Sequence, residues 1–283
     1  MTLNNGVAMP RLGLGVFLAS DEEAEEAVRF ALAEAGYRHI DTASLYRNEG
    51  GVGRGIAAAG VPREEIFLTT KLWNSDQGYD ATLVAFDASL RRLDTDYVDL
   101  YLVHWPMPKV GKLLDTWRAF ETILSSGRAR AIGVCNHNPS HLQAILDSGT
   151  VVPAVNQIEL NPNLPQYVTR AFDADHGIVT EAWSPLGGTP GGKNRAGVTR
   201  VNVLLGDPVV ARVAAKHGRT PAQVLIRWSL QNGLVVIPKS VHPERIRQNI
   251  DVFDFALDGT DLEQLATLEN GRRVGPDPEQ LND

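Results

Sequence analysis

An α/β fold of eight strand–helix units closing into a barrel is the architecture this sequence predicts, and three observations carry the prediction. Eight short apolar runs recur along the chain, rich in Val, Ile, Leu and aromatics and bounded by Gly, Pro, Asn or Asp, as buried strands are. Amphipathic stretches with helix start and stop signals separate them, and that alternation makes parallel β/α units. An open doubly wound sheet is the rival, but it would normally carry a glycine fingerprint for a dinucleotide. None stands here: Leu18 replaces the third glycine in "GLGVFL" and Ile56 does so in "GVGRGI". Eight units therefore favour a (β/α)8 TIM barrel.

The strand runs are "RLGLGVF" (11–17), "YRHIDTA" (37–43), "IFLTTKL" (66–72) and "YVDLYLVHW" (97–105). They continue as "ARAIGVCN" (129–136), "PAVNQIEL" (153–160), "GIVTEAW" (177–183) and "LVVIPKS" (234–240). Among the helical stretches, "DEEAEEAVRFALAEAG" has an acidic first turn and a glycine stop. "DATLVAFDASLRRL", "KLLDTWRAFETILSSG" and "DPVVARVAAKHG" repeat the form, and "TPAQVLIRWSLQNG" adds Thr as N-cap, Pro at N1 and a closing Gly. Two stretches fall outside the repeat. "TLNNGVAMPRL" reads as an N-terminal β-hairpin turning at Asn-Gly. "PLGGTPGGKNRAGVTRVN" (185–202) reads as a long Gly-rich loop after the seventh strand, and the polar "GRRVGPDPEQLND" as a loop or tail. No domain linker interrupts the pattern, so residues 1–283 are expected to form a single domain.

Composition narrows the function. The chain has 283 residues, 43% of them hydrophobic and 22% charged, an ordinary globular mixture. A net charge of -7 and a pI near 5.5 argue against nucleic-acid or anionic-membrane partners. One cysteine, Cys135, excludes an internal disulfide framework and a multi-thiolate zinc site, so no metal is expected. "MTLNNGVAMPRLG" lacks a signal-peptide pattern, and no apolar run is long enough to span a bilayer. The expectation is a cytoplasmic protein. With no long exposed apolar stripe to demand a partner, a monomer is expected.

In such barrels the site lies at the C-terminal ends of the strands. Asp41 follows the second strand, Lys71 ends the third, His104 ends the fourth, and Tyr46 stands just past Asp41. A lysine pointing into a barrel mouth needs a partner, and Asp41 supplies one. A cation beside a phenol stabilises the phenolate, so Lys71 is expected to lower the pKa of Tyr46 from about 10. A tyrosine so poised can give a proton to an alkoxide forming on a carbonyl carbon, with His104 orienting the oxygen. Each residue alone is usually packing or surface. The combination at three successive strand ends is what argues for a site. A glycosidase reading through Glu159 and Glu181 leaves Tyr46 and Lys71 unexplained. "GGTPGGKN" has Asn194 where a phosphate loop needs Ser or Thr, and "HNPSH" alone is insufficient for a metal.

The motifs "HIDTASLYRNE", "TTKLWN", "LVHWP", "IGVCN", "VNQIELNP", "AWSPLG" and "VVIPKSVHPERIRQN" resemble, in order from residue 39 to 249, those of the aldo-keto reductases. The likeness is to the prokaryotic branch that includes 2,5-diketo-D-gluconate reductase. It implies a TIM barrel that uses NADPH without a Rossmann domain and takes the pro-R hydride at C4. It also implies a catalytic tetrad of Tyr46 as general acid with Asp41, Lys71 and His104. Asn136 and Gln157 are implied to bind the nicotinamide carboxamide and Trp183 to stack on the ring. Cys135, Ser184, Leu186, Gly187 and Ile237 join the cofactor set. Lys239 and Arg245, two cations near a helix N-terminus, suit an adenosine 2′-phosphate and hence NADPH over NADH. Ser240, Val241, Gln248 and Asn249 complete the adenosine pocket by resemblance.

The sequence departs from the family pattern at four positions. Cys135 stands for a usual serine, weakening one carboxamide hydrogen bond. His137 stands for phenylalanine, Gln248 for glutamate and Trp183 for the commoner tyrosine. Phe17, Trp73 and Trp105 are expected to wall the substrate cleft, which suits apolar or planar carbonyl compounds. The expected reaction is NADPH-dependent reduction of aldehydes or ketones: dicarbonyls, keto-sugars or aromatic aldehydes. A non-catalytic NADPH-binding sensor is the alternative. The loop at 185–202 is expected to fold over the cofactor pyrophosphate.

Overall fold

A computed structural model describes residues 1–188 and 202–281. Its strands are β1 (Leu14–Gly15), β2 (His39–Asp41), β3 (Phe67–Leu72), β4 (Val98–Val103), β5 (Ala129–Cys135), β6 (Val155–Glu159), β7 (Val179–Trp183) and β8 (Val235–Val236). The helices of the first half are α1 (Asp21–Ala33), α2 (Glu49–Ala58), α3 (Tyr79–Leu93), α4 (Leu113–Ser125) and α5 (Pro139–Ser148). The second half adds α6 (Tyr167–Asp175), α7 (Pro208–His217), α8 (Pro221–Gln231), α9 (Pro243–Ile250) and α10 (Gly259–Ala266). Local chemistry sets the helix starts. Ser20 and Glu23 form a capping box on α1, as do Thr220 and Gln223 on α8 and Asp258 and Asp261 on α10.

The eight strands pair in parallel and in sequence order from β1 to β8. Gly13 N donates to Val236 O (2.9 Å), Val236 N to Arg11 O (2.9 Å) and Gly15 N to Pro238 O (3.2 Å). Parallel bridges also join Leu12 to Val236 and Gly15 to Lys239. The sheet thus curls until its first and last strands meet. β1 and β8 are regular over only two residues each, shorter than the sequence runs suggest. The physical reason is that Pro238 has no N–H to return to the ladder, and the facing segment carries Gly13 and Gly15, poor strand formers.

Alternation along each strand sorts the side chains. Ile40, Leu68, Tyr101, Ile132 and Ile158 belong to the outer cluster between sheet and helices. There Tyr101 stacks on Phe120 with centroids 4.6 Å apart. Leu100, Leu102, Ala131, Cys135, Val155 and Val235 form a smaller inner cluster, joined by Leu3 and Met9 from the N-terminal segment. That segment is tied by an antiparallel bridge between Thr2 and Ala8. Asn4 Nδ2 donates to Pro153 O and Asn5 Nδ2 to Arg130 O, at 3.0 and 2.9 Å, so it sits beneath the starts of β5 and β6. Gly13 leaves room for the buried His39 ring, since a Cβ there would lie 2.6 Å from His39 Nδ1. With the strand starts covered, the C-terminal ends are where a site can open. The Gly-rich stretch expected at 185–202 falls for its larger part, 189–201, outside the described residues.

Candidate active site

Inward positions near the ends of adjacent strands gather the polar groups. Asp41 closes β2, Lys71 is next to last in β3, and His104 follows β4 directly. Tyr46 closes a 3-10 turn, Ser44–Tyr46, and what fixes that turn is a set of buried polar anchors. Asn48 donates to the carbonyls of Val16 (3.0 Å) and Ala19 (3.1 Å) and accepts from Thr42 Oγ1 (2.8 Å). Glu49 accepts from Thr70 Oγ1 on β3 (2.6 Å) and from Arg92 Nε on α3 (2.7 Å). Ser44 Oγ donates to Lys71 O at 3.0 Å, which holds the Tyr46 turn beside β3.

A continuous polar chain results. Lys71 Nζ, fully buried, donates to Asp41 Oδ1 (2.7 Å), Thr42 O (2.9 Å) and Tyr46 Oη (3.3 Å), using all three of its hydrogens. Gln157 Nε2 donates to Asp41 Oδ2 and to Glu181 Oε2, both at 2.8 Å. Glu181 Oε1 lies 3.7 Å from His39 Nε2. Both Asp41 oxygens accept, the pattern of a carboxylate, and the buried ion pair keeps its remaining hydrogen-bonding capacity satisfied. The His104 ring meets Tyr46 and Trp73 edge-on, with centroids 5.9 and 5.2 Å away.

Electrostatics divide the roles. Burial, with Lys71 adding to it, holds His104 well below the usual histidine range, so its imidazole is neutral. Burial opposes the Lys71 ammonium, yet Asp41, Tyr46 and Cys135 together keep its pKa above the ordinary lysine value. Burial raises the Asp41 carboxyl, while Lys71 and Gln157 oppose that rise. Burial and then Asp41 push Glu181 up to about 8. The phenol corrects the sequence expectation. Lys71 does pull the Tyr46 pKa down, but burial outweighs it and Asp41 adds to the rise, so the net shift is upward. The cation at 3.3 Å favours a phenolate, but by less than burial disfavours one. Tyr46 is therefore a neutral phenol with a proton to give.

A cleft of about 310 Å³ opens over this chain. Phe17, Trp73 and Trp105 line it, as the sequence suggested, together with Cys135, Asn136, Gln157, Trp183, Ser184, Leu186, Ile237 and Lys239. Asn136 and Ser184, directly after β5 and β7, hold left-handed φ values of 63° and 50°, uncommon outside glycine and frequent at functional sites. Asn136 Nδ2 donates to His104 O (3.0 Å) and Cys135 Sγ (3.1 Å), and its Oδ1 accepts from Trp183 Nε1 (2.8 Å). Gly187 sits behind the lining, where its Cβ would meet Leu204, and Gly188 takes the place at the surface of the cleft. Ser240, Val241, Arg245, Gln248 and Asn249 lie outside this cleft, on the segment after β8 and on α9.

Sequence reasoning missed the far wall. Gly275, Pro276 and Leu281 line the cleft from the C-terminal segment. Glu159, buried at the end of β6, accepts from Val274 N (2.6 Å) and Gly275 N (3.0 Å). Glu279 accepts from Asn138 Nδ2 at 2.7 Å and lies 3.4 Å from His141 Nε2, so the "HNPSH" stretch grips the tail. Leu281 packs with Trp105 and Met107, against Trp73. The one available signal was Leu281 itself, the lone leucine in an otherwise polar ending. Among the described residues, no helix is long and apolar enough to cross a membrane.

The chain matches known proteins along almost its whole length. Residues 11–270 match the model of the Aldo/keto reductase family. An aldo-keto reductase of Mycolicibacterium smegmatis is 56% identical over 100% of this chain and 98% of its own length. Morphine 6-dehydrogenase of Pseudomonas putida is 53% identical, covering 100% and 95%. Methylglyoxal reductase DkgA of Salmonella typhimurium is 48% identical, covering 99% and 96%. Among solved structures, a Gox0644 variant in complex with NADPH superposes with a TM-score of 0.90 at 46% identity, covering 99% of this chain and 97% of its own. With the family model and these full-length relatives in agreement, this chain belongs to the aldo/keto reductase family.

Proposed function

We propose that this protein is an NADPH-dependent reductase of aldehydes and ketones in which Tyr46 supplies the proton. The observation that carries the reading is the chain from Tyr46 Oη through Lys71 Nζ to Asp41, beside a neutral His104, in one cleft. The donor set fits the cofactor. Asn136 and Gln157, their amide hydrogens engaged within the protein, offer amide oxygens, and Trp183 offers a flat ring, along one side of the cleft. Lys239 and Arg245 form no ion pair among the described residues and flank the start of α9, leaving two cations for a phosphate. Membership in a family whose relative binds NADPH supports the same cofactor.

NADPH, when bound, supplies the hydride that reaches the carbonyl carbon. The protein does the rest. His104 and Tyr46 hydrogen-bond the carbonyl oxygen from two sides, and His104, being neutral, orients it without adding charge. Negative charge growing on that oxygen is met by the Tyr46 proton. The phenolate left behind is stabilised by Lys71 at hydrogen-bond distance, and Asp41 keeps Lys71 in place. Phe17, Trp73 and Trp105 receive the body of the substrate and exclude water. The names of the relatives, one a methylglyoxal reductase and one a morphine dehydrogenase, support a site that takes both small dicarbonyls and larger ring compounds. The aromatic walls suit apolar or planar carbonyl compounds, aromatic aldehydes among them. The test is NADPH consumption with methylglyoxal, an aromatic aldehyde and a keto-sugar, alongside cofactor binding by tryptophan quenching. Turnover with at least one carbonyl is expected. Binding without turnover on any of them turns the reading toward a sensor.

A further inference from the structure

We propose that Glu181 is a positioning residue: with Asp41 it holds both amide hydrogens of Gln157, so that only the Gln157 carbonyl oxygen is left for the cleft. The site then selects a ligand group that donates a hydrogen bond. This deepens the NADPH reading and rests on it, because the group in question is the carboxamide NH2.

Gln157 and Glu181 face each other as paired residues of β6 and β7, and both are buried. An amide nitrogen carries two hydrogens, and here each has an acceptor at 2.8 Å, one on Asp41 and one on Glu181. Turning the amide over would aim its oxygen at Asp41 Oδ2, a carboxylate oxygen paired through Oδ1 with Lys71 and with no hydrogen to give. The Asp41 hydrogen bond would be lost in a buried setting where an unmade bond is costly. The amide is therefore locked from below. Among the described residues its free end, Oε1, is reached only by the Cys135 thiol, a weak donor at 3.7 Å, and retains a lone pair toward the cleft that Gln157 lines. Glu181 is itself held away from the ligand, with its second oxygen on the side of His39. It touches no part of the cleft and acts entirely through Gln157.

The experiment compares binding of NADP+ with that of its acetylpyridine analogue, in which a methyl replaces the amide NH2. Both are titrated by tryptophan quenching into wild type, Glu181→Leu and Glu181→Gln, with thermal melts alongside. Wild type is expected to favour NADP+ by about fivefold, the worth of one neutral hydrogen bond. Glu181→Leu frees one amide hydrogen and loosens the side chain, so NADP+ binding weakens and the preference collapses toward one. Glu181→Gln restores the preference, because its own carbonyl oxygen still accepts from Gln157. A wild-type preference preserved in a folded Glu181→Leu overturns the proposal. So does equal binding of the two dinucleotides by wild type, an outcome that needs no variant to fold. Failure of wild type to bind NADP+ at all counts against the cofactor reading and is distinguishable from both.

Discussion

Replacing Lys71 by Met keeps most of the buried volume and removes the charge, and two separable losses are expected. The first is catalytic. Lys71 Nζ lies 3.3 Å from Tyr46 Oη; at an effective dielectric near 20, a full phenolate there would interact with the ammonium by about 5 kcal/mol. Only part of that charge has formed at the transition state, so about half of it, roughly 2–3 kcal/mol, should be lost from the barrier. That corresponds to a fall in kcat of about a hundredfold. The second loss is structural. Asp41 is left buried without its cation, which typically costs about 3–5 kcal/mol. Adding Asp41→Asn to Lys71→Met should recover much of the stability and none of the rate. The assay is NADPH consumption at saturating cofactor and carbonyl, with denaturant unfolding of each variant. A folded Lys71→Met variant within tenfold of the wild-type kcat would refute the reasoning.

Further outcomes follow from the buried carboxylates. Glu181 is pushed up to about 8 from its ordinary 4.5. Between those values the native state keeps a proton that the unfolded chain has released. Stability from this group is therefore full below about pH 4.5, falls by up to about 1.4 kcal/mol per pH unit, and levels off above about pH 8. Asp173, raised by burial to about 7, contributes in the same sense, so the comparison of wild type with Glu181→Gln isolates the Glu181 share. Denaturant unfolding at about pH 5 and pH 8 should show a smaller decline in Glu181→Gln, and equal declines would contradict the assignment. Glu159→Ala and Glu279→Ala each release one anchor of the C-terminal segment. Steady-state kinetics should show KM for an aromatic aldehyde rising severalfold, more than for methylglyoxal, with kcat changed less. Parallel increases for both substrates would mean that the tail does not shape the cleft.

Much of this was legible in the chain because it depends on local pattern. Apolar runs bounded by glycine and proline located all eight strands, and the acidic first turn of "DEEAEEAVRFALAEAG" and the Thr-Pro start of "TPAQVLIRWSLQNG" marked two helix starts. Asp41, Lys71 and His104 could be grouped because strand ends of a parallel barrel converge on one face. Tyr46 was within reach because it follows Asp41 by only five residues. What escaped depends on distance in sequence. Glu159 binds amides more than a hundred residues away, and nothing near "GRRVGPDPEQLND" announces that it returns over the cleft. The direction of the Tyr46 shift also escaped, since a pairwise view of Lys71 and Tyr46 omits both burial and the negative charge of Asp41. Glu181 looked like half of a carboxylate pair in the sequence. Its inward position on β7, facing Gln157, gives it a different task.

The most direct measurement pairs wild type with Tyr46→Phe, following NADPH consumption with an aromatic aldehyde and cofactor binding by tryptophan quenching on the same samples. The change removes one oxygen and the proton it carries, and it leaves the Lys71–Asp41 bond of 2.7 Å untouched. Turnover by wild type, with a loss of at least about a hundredfold in the variant and unchanged NADPH affinity, is the predicted result. Turnover in Tyr46→Phe close to that of wild type would contradict the account, because the proton would then come from somewhere else.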